Sequence, residues 1–308
     1  MVSAMLKRSR LASAVLGLAV AGALGGCGGA AEEASAPSAA ASTPAAADRK
    51  QRLESVKADC MKQKGFTYVP FVAPPMKQTE ETRKIASGDY QAMRKDREKN
   101  GFGVYAEYVY PDEFDTPMAK PDAAHTDPNY KIQSQLSPAQ LDAYQKASDA
   151  CEVAGAKQVL GLTLKSGMDY FEQHNAAREK ALTDELDSDP RLVELAGAMA
   201  TCLKGKGYAV ADTAPSAMAE QGRNSFLEQQ DRQGRKQRTD VPDSEPKAKK
   251  GEIPHYVMPQ LTPEEAKPYL DKEIKAALDD LECGKDFYAA YTPRETAINQ
   301  QVNDRFPM

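Results

Sequence analysis

The sequence predicts a mainly α-helical fold with a minor β element, an α+β class built as one disulfide-linked helical domain of two degenerate halves. Three observations support this class. Helix cap signals recur along the chain, four cysteines lie in paired sequence contexts, and only short segments carry the clustered aromatic and β-branched residues typical of strands. The chain has no Trp, so its core is expected to consist of Leu, Val, Ala and Met.

The first 26 residues are typical of a bacterial lipoprotein signal peptide. A basic segment at residues 7–10 precedes an apolar run at residues 11–24 that is too short to span a bilayer. The run ends in Leu24-Gly25-Gly26-Cys27, which has the form of a lipobox. We therefore expect Cys27 to be diacylated on sulfur and to become the first mature residue. The alternative is an ordinary secretory signal cut after a small residue.

Composition divides the mature chain into a tether and a folded body. Residues 28–47 are almost all Ala, Gly, Ser and Pro, so they are expected to form a disordered tether after the lipidated Cys27. Residues 48–308 are expected to form a single folded domain with halves at about 48–185 and 186–308. Loss of three positive charges with the signal peptide changes the formal charge from -5 to -8, which argues against a nucleic-acid partner.

Four cysteines remain after lipidation of Cys27, an even number in a chain exported to an oxidising compartment, so disulfides are expected. The contexts of Cys60 and Cys202 match. Residues 58–66 and residues 200–208 both predict the last turn of a helix closed by a left-handed glycine, with an aromatic residue folding back on that turn.

A second match lies before the other two cysteines. Leu136-Ser137-Pro138-Ala139-Gln140 parallels Leu261-Thr262-Pro263-Glu264-Glu265, and each predicts a capping box with Pro at the first helical position. Convergence on common cap chemistry is one explanation; we favour a degenerate duplication. Of three possible connectivities, the duplication favours Cys60–Cys151 and Cys202–Cys283, each closing a loop of about 80 to 90 residues.

Local patterns place the elements in order. Helices are predicted over residues 48–64, 77–99, 137–182, 190–206, 216–236 and 262–290, with a break in the third near Gly155 or Gly161. Extended segments are predicted at residues 66–72, 104–110 and 208–210, and irregular Pro-rich loops at residues 111–128 and 241–259.

Several short motifs occur one after another along about 235 residues of the chain. Asn100-Gly101-Phe102-Gly103 follows the Cys60 motif, Asp127-Pro128-Asn129-Tyr130 precedes the Cys151 helix, and Asp189-Pro190-Arg191-Leu192-Val193 leads to Cys202. In this order the chain resembles a family of poorly characterised actinobacterial surface lipoproteins. The resemblance implies a cell-surface location and a disulfide-linked fold, and it implies no activity and no catalytic residues. The Asn100–Gly103 motif has no counterpart in the second half.

Catalytic and metal-binding patterns are not found in the sequence. His125, His174 and His255 are interpreted as ordinary surface or loop residues, and no nucleophile elbow, zinc-protease or phosphate-loop motif is present. The acidic run at residues 184–189 lacks the spacing of a calcium loop. We therefore predict no catalytic residue, no metal and no cofactor.

The segment Gly101, Phe102, Gly103 and Tyr105 is the strongest candidate binding site. Two glycines around an aromatic residue permit positive φ or close backbone approach, and further tyrosines follow. An aromatic-lined groove of this kind suits an envelope protein, a peptide or a glycan. A tight turn that packs on the helices is the structural alternative.

These observations predict a lipid-anchored, extracytoplasmic binding or interaction protein of the bacterial cell envelope, held at the membrane through Cys27. The alternative function is a cell-wall or envelope hydrolase that uses acidic residues alone. A solute-binding subunit of a transporter is disfavoured because the alternating βα pattern of such proteins is absent.

Overall fold

The computed structural model describes residues 44–75, 78–113, 125–242 and 256–307. Helix accounts for 72% of these residues, and none of them lies in a strand. Cys27, its lipobox and residues 28–43 lie outside the described residues. The helices are α1 (Pro44–Gln63), α2 (Glu80–Ala86), α3 (Tyr90–Asn100), α4 (Ala106–Val109), α5 (Asn129–Gln133), α6 (Pro138–Gly155), α7 (Gly167–Leu182), α8 (Pro190–Gly205), α9 (Pro215–Lys236), α10 (Pro263–Cys283) and α11 (Lys285–Arg305).

Two disulfides each join a pair of long helices. Cys60 of α1 is bonded to Cys151 of α6, and Cys202 of α8 is bonded to Cys283 of α10, with Cα–Cα distances of 5.6 and 5.5 Å. This is the connectivity that the matched sequence contexts favoured, so that prediction is confirmed.

The matched helix ends have the same geometry. Gly65 and Gly207 have φ of +83° and +90°, which L side chains rarely adopt. Beyond them, the Phe66 N–H donates to the Met61 carbonyl at 2.9 Å, and the Tyr208 N–H donates to the Leu203 carbonyl at 3.0 Å. Each motif thereby satisfies carbonyls that the last helical turn leaves free.

The matched helix starts also agree with the prediction. The Ser137 N–H donates to Gln140 Oε1 at 3.0 Å, and the Thr262 N–H donates to Glu265 Oε2 at 2.8 Å. The backbone N–H groups of Gln140 and Glu265 donate in return to the cap hydroxyls, so both capping boxes are complete.

Glycine residues interrupt three of the predicted helices, and the break near Gly155 or Gly161 is the one that the sequence predicted. Gly88, with φ +77°, separates α2 from α3, and Gly161, with φ +69°, ends the π-helical turn Ala156–Leu160 that follows α6. Gly284 separates α10 from α11, which continues to Arg305 although the prediction ended at residue 290. A Cβ at Gly88 would lie 2.7 Å from the Tyr288 carbonyl oxygen, so close approach of α11 explains that break.

The predicted minor β element is wrong within the described residues. Residues 66–72 and residues 208–210 have no regular secondary structure and form no ladder with a neighbouring strand among the described residues. Residues 104–110 contain the helical turn α4, and their aromatic side chains pack into a cluster with α9 and α10. The aromatic spacing therefore reflects packing against helices instead of a sheet face.

The two halves share one main core. Its buried residues come from both halves, including Met93 and Leu182 from the first and Leu203, Leu281 and Ile298 from the second. The described residues fall within one compact unit. No helix in the described ranges combines the length and the apolar character that a bilayer span requires.

Removing either disulfide should lower the free energy of unfolding, because each bridge restricts a long loop in the unfolded chain. We expect Cys202→Ser with Cys283→Ser to cost about 2–5 kcal/mol in urea unfolding monitored by circular dichroism. The paired Cys60→Ser and Cys151→Ser change should cost a similar amount, since its loop is of similar length. Unchanged unfolding midpoints for both double variants would contradict this expectation.

Candidate functional site

The turn after α3 is held open by two glycines in conformations that other residues avoid. Gly101 has φ +61° and ψ −125°, and Gly103 has φ +87°. With this backbone, Phe102, Val104 and Tyr105 point their N–H groups to one side of the turn, where no helix or strand offers a carbonyl to accept them.

A buried carboxylate from α10 accepts all three of these N–H groups. Glu273 Oε1 accepts from Phe102 and Val104, and Glu273 Oε2 accepts from Tyr105, each at 2.8 Å. The Glu273 side chain is fully buried. Burial raises the pKa of Glu273, and the three backbone hydrogen bonds act in the opposite direction. The arrangement fixes the turn on the surface of α10.

A second buried carboxylate lies two turns further along α10. Asp280 Oδ2 accepts from Arg97 Nη1 and from the Tyr288 hydroxyl, each at 2.6 Å. Arg97 Nη1 also donates to the Ala277 carbonyl at 2.8 Å, and its guanidinium lies 4.6 Å from the centroid of the Tyr288 ring. Arg97 is therefore held in place by charge, hydrogen bonds and stacking.

Phe102 is held between the turn and α9. The Arg97 guanidinium of α3 lies 5.4 Å from the centroid of the Phe102 ring. The centroid of the Phe226 ring, on α9, lies 5.9 Å from the Phe102 centroid. A Cβ at Gly222 would lie 2.3 Å from Phe102 Cζ, so only glycine leaves room for the ring at that position. Phe102 remains partly exposed.

The turn forms one wall of a cavity of about 400 Å³ between α2, α3, α9 and α11. The structure thus brings together three of the four predicted site residues. The cavity is lined by Ile85, Met93, Asp96, Arg97, Asn100, Gly101, Phe102, Gly103, Ala219, Glu220, Arg223, Tyr288, Thr292 and Glu295.

Tyr105, the fourth predicted residue, is not in the cavity wall. It is fully buried, its ring stacks on Tyr269 at 5.2 Å, and its hydroxyl donates to Gln233 Oε1 at 2.9 Å. Tyr105 therefore packs the turn against α9 and α10 and has no surface to offer a partner.

Charged groups of both signs face the cavity. Glu220 and Glu295 share Arg178, whose Nη2 lies 3.6 and 2.9 Å from their carboxylate oxygens. Burial raises the pKa of Glu295, and Arg178 lowers it. Arg223 makes no ion pair within the described part of the chain, and Asn100 Oδ1 is buried there without a hydrogen-bond partner.

The two described histidines, His125 and His174, do not line this cavity. His174 Nε2 lies 2.9 Å from Asn303 Oδ1, and its ring packs on Phe306 at 5.7 Å. His125 precedes α5, and His255 lies outside the described residues. Within residues 44–307, as far as the structure describes them, no three His, Cys, Asp or Glu side chains converge as metal ligands.

The residues that hold the turn and α3 in place, Glu273 and Asp280, were not predicted from the sequence. Glu273 and Asp280 are seven positions apart and so lie on one helix face, but their partners in the first half are 168 to 183 residues away. A pair of acids in an otherwise ordinary amphipathic helix gives no local sign of buried N–H or arginine partners.

Comparison with protein-family models, with curated proteins and with solved structures gives no match for this chain.

Replacing Gly101 should destabilise the protein more than replacing Gly103. Gly101→Ala adds a Cβ 2.7 Å from Glu273 Cγ in addition to an unfavourable φ, whereas Gly103→Ala meets open space and carries only the φ penalty. We expect about 1 kcal/mol for Gly103→Ala and about 3 kcal/mol for Gly101→Ala in chemical denaturation. Equal losses would show that contact with Glu273 does not constrain the turn.

Proposed function

We propose that the chain is a lipid-anchored, extracytoplasmic binding protein of the bacterial cell envelope, and that its ligand binds in the cavity beside Phe102. The observation that carries the proposal is the rigid turn: Gly101 to Gly103 forms a cavity wall whose backbone is fixed by the Glu273 carboxylate. A wall fixed before binding lowers the ordering cost of recognition.

The cavity chemistry supports a polar ligand with an apolar face, such as a peptide or a glycan. Phe102 and Tyr288 supply aromatic surface, and Met93 supplies an apolar contact. Within the described residues Asn100 Oδ1 is a buried acceptor without a hydrogen-bond partner, and Arg223 adds a cationic group to the cavity wall. Ligand sites commonly combine apolar walls with a few such polar groups.

A carboxylate-based envelope hydrolase is the second candidate. Glu220 and Glu295 face the same cavity, and burial raises the pKa of Glu295, as an acid catalyst requires. Both carboxylates are bound to Arg178, however, and this ion pair joins α7, α9 and α11. That shared counter-ion favours a structural role for the two acids and so favours binding over hydrolysis.

The lipid anchor is proposed from the lipobox and from the resemblance to actinobacterial surface lipoproteins. Cys27→Ser should release the protein from the membrane fraction or leave it as the unprocessed precursor, because only Cys27 follows a lipobox. Fractionation and N-terminal peptide mass spectrometry measure both outcomes. Normal membrane retention with a mature N-terminus elsewhere would contradict the anchor.

Photo-crosslinking in cells tests the binding site. We expect Arg223→p-benzoylphenylalanine to form a light-dependent adduct with an envelope component, because residue 223 lines the cavity. Lys146→p-benzoylphenylalanine serves as the matched control, since Lys146 is exposed on α6.

Two further variants separate the cavity from the histidines. Phe102→Ala should reduce the adduct at position 223 severalfold while combined His125→Ala, His174→Ala and His255→Ala changes should leave it intact, with thermal melts run on all variants. Equal adducts at positions 223 and 146 would contradict the site. Release of cell-wall fragments that is abolished by Glu295→Gln would favour the hydrolase instead.

A further inference from the structure

A second polar region lies near the first disulfide and is lined by residues from positions 50–73 and 127–170. Two adjoining cavities of about 260 and 270 Å³ share Lys57, Asp127 and Glu152 as lining residues. They lie between α1, α6 and the irregular segment at residues 66–75. None of their lining residues lines the cavity beside Phe102.

The charge around this region is negative. Glu54, Asp127, Asp149 and Glu152 line it, against Lys50 and Lys57 as the only cations among the lining residues. Lys57 Nζ is bound to Glu152 Oε2 at 3.1 Å. The other three carboxylates form no ion pair in the described ranges.

Backbone donors hold those three carboxylates in position without neutralising them. The N–H of Phe71 donates to Glu54 at 3.1 Å, and the N–H of Gly167 donates to Asp149 at 2.7 Å. Asp127 Oδ1 accepts the N–H and the Nδ2 of Asn129 at 2.8 and 2.7 Å, and the Asn129 side chain is itself buried. The acidic groups are therefore fixed in place before any ligand arrives.

Three tyrosines complete the lining. The Tyr68 hydroxyl donates to Glu54 Oε2 at 2.8 Å. The hydroxyls of Tyr144 and Tyr170 are buried and have no hydrogen-bond partner among the described residues, and the two side chains are 2% and 1% exposed. Burial, followed by the charges of Asp127 and Glu54, raises the pKa of Tyr144, so both carboxylates act on its hydroxyl. A buried hydroxyl without a hydrogen-bond partner is destabilising, and a ligand that pairs with it would remove that cost.

Lys57 shows which chemistry the region accepts. Its ammonium lies 5.3 Å from the centroid of the Tyr68 ring as well as on Glu152, so one alkylammonium group is already bound by a carboxylate and an aromatic face. The neighbouring wall is apolar, with Leu53, Phe71 and Ala156. This combination fits a cationic head followed by a short aliphatic chain.

We propose that the cavities around Asp127 bind a small organic cation, namely a primary amine on a short alkyl chain, with the ammonium directed to Asp127 and the Tyr144 hydroxyl and the chain along Leu53 and Phe71. A metal ion is a poorer fit, because no three ligand side chains converge on a point within the described residues. The site is independent of the proposed cavity beside Phe102.

Calorimetric titration of the full mature chain with 1-pentylamine tests the site. Saturable binding is expected at millimolar concentration, whereas 1-pentanol, its neutral isostere, and Mg²⁺ should give no saturable heat. Asp127→Asn keeps an oxygen to accept the Asn129 N–H but removes the charge, so it should weaken pentylamine binding about tenfold. Asp271→Asn, which removes one exposed carboxylate from α10, is the matched control and should bind as the unmodified protein does.

Tyr144→Phe provides a second variant that does not endanger folding, because the hydroxyl it removes has no hydrogen-bond partner in the part of the chain that the structure describes. It should weaken pentylamine binding severalfold while leaving the melting temperature unchanged or higher. Absence of saturable pentylamine binding, equal binding of 1-pentanol, or equal affinities for the Asp127→Asn and Asp271→Asn variants would each overturn the proposal. Tight Mg²⁺ binding without amine binding would overturn it in favour of a metal.

Discussion

The acceptance of three backbone N–H groups by the buried Glu273 carboxylate is the interaction on which the candidate site depends. A carboxylate without solvent is costly unless its oxygens are fully hydrogen-bonded, and buried N–H groups are costly without acceptors. Each partner therefore needs the other. Two turns later on the same helix, Asp280 accepts a hydrogen bond from Arg97 of α3. Both α3 and the turn that follows it are therefore fixed on α10.

This dependence links the two halves of the chain. α10 belongs to the second disulfide pair, but its buried carboxylates serve residues of the first half. Cys283 follows Thr262 by 21 positions, whereas Cys151 follows Ser137 by 14, so α10 extends two turns further from its cysteine than α6 does. Tyr144 accordingly packs on Phe66 within its own half, while Tyr269, at the same distance from its cap, stacks on Tyr105.

The features that were predictable from sequence are those with local causes. Cap residues, C-terminal glycines and the disulfide pairing follow from contacts among neighbours, or from the matched contexts of Cys60 and Cys202. The break at Gly88 was not predictable, because it is set by the approach of a carbonyl on α11. The expected strand at residues 104–110 failed for a related reason, since the partners of its aromatic residues are helices distant in sequence. The glycines and Phe102 of the candidate site could be identified, but Arg97, Glu273 and the rest of the cavity wall could not.

The distance along the chain between the turn and its support has a consequence for how the protein matures. Tyr105 and Glu273 are 168 residues apart, and Arg97 and Asp280 are 183 apart. Contacts of such separation form late, because the intervening chain must first be closed into a loop. During synthesis, α3 emerges long before α10, so its arginine and the following N–H groups spend that interval exposed to water. The turn and the cavity wall that it forms are thus completed only when nearly the whole polypeptide, through α10, is available.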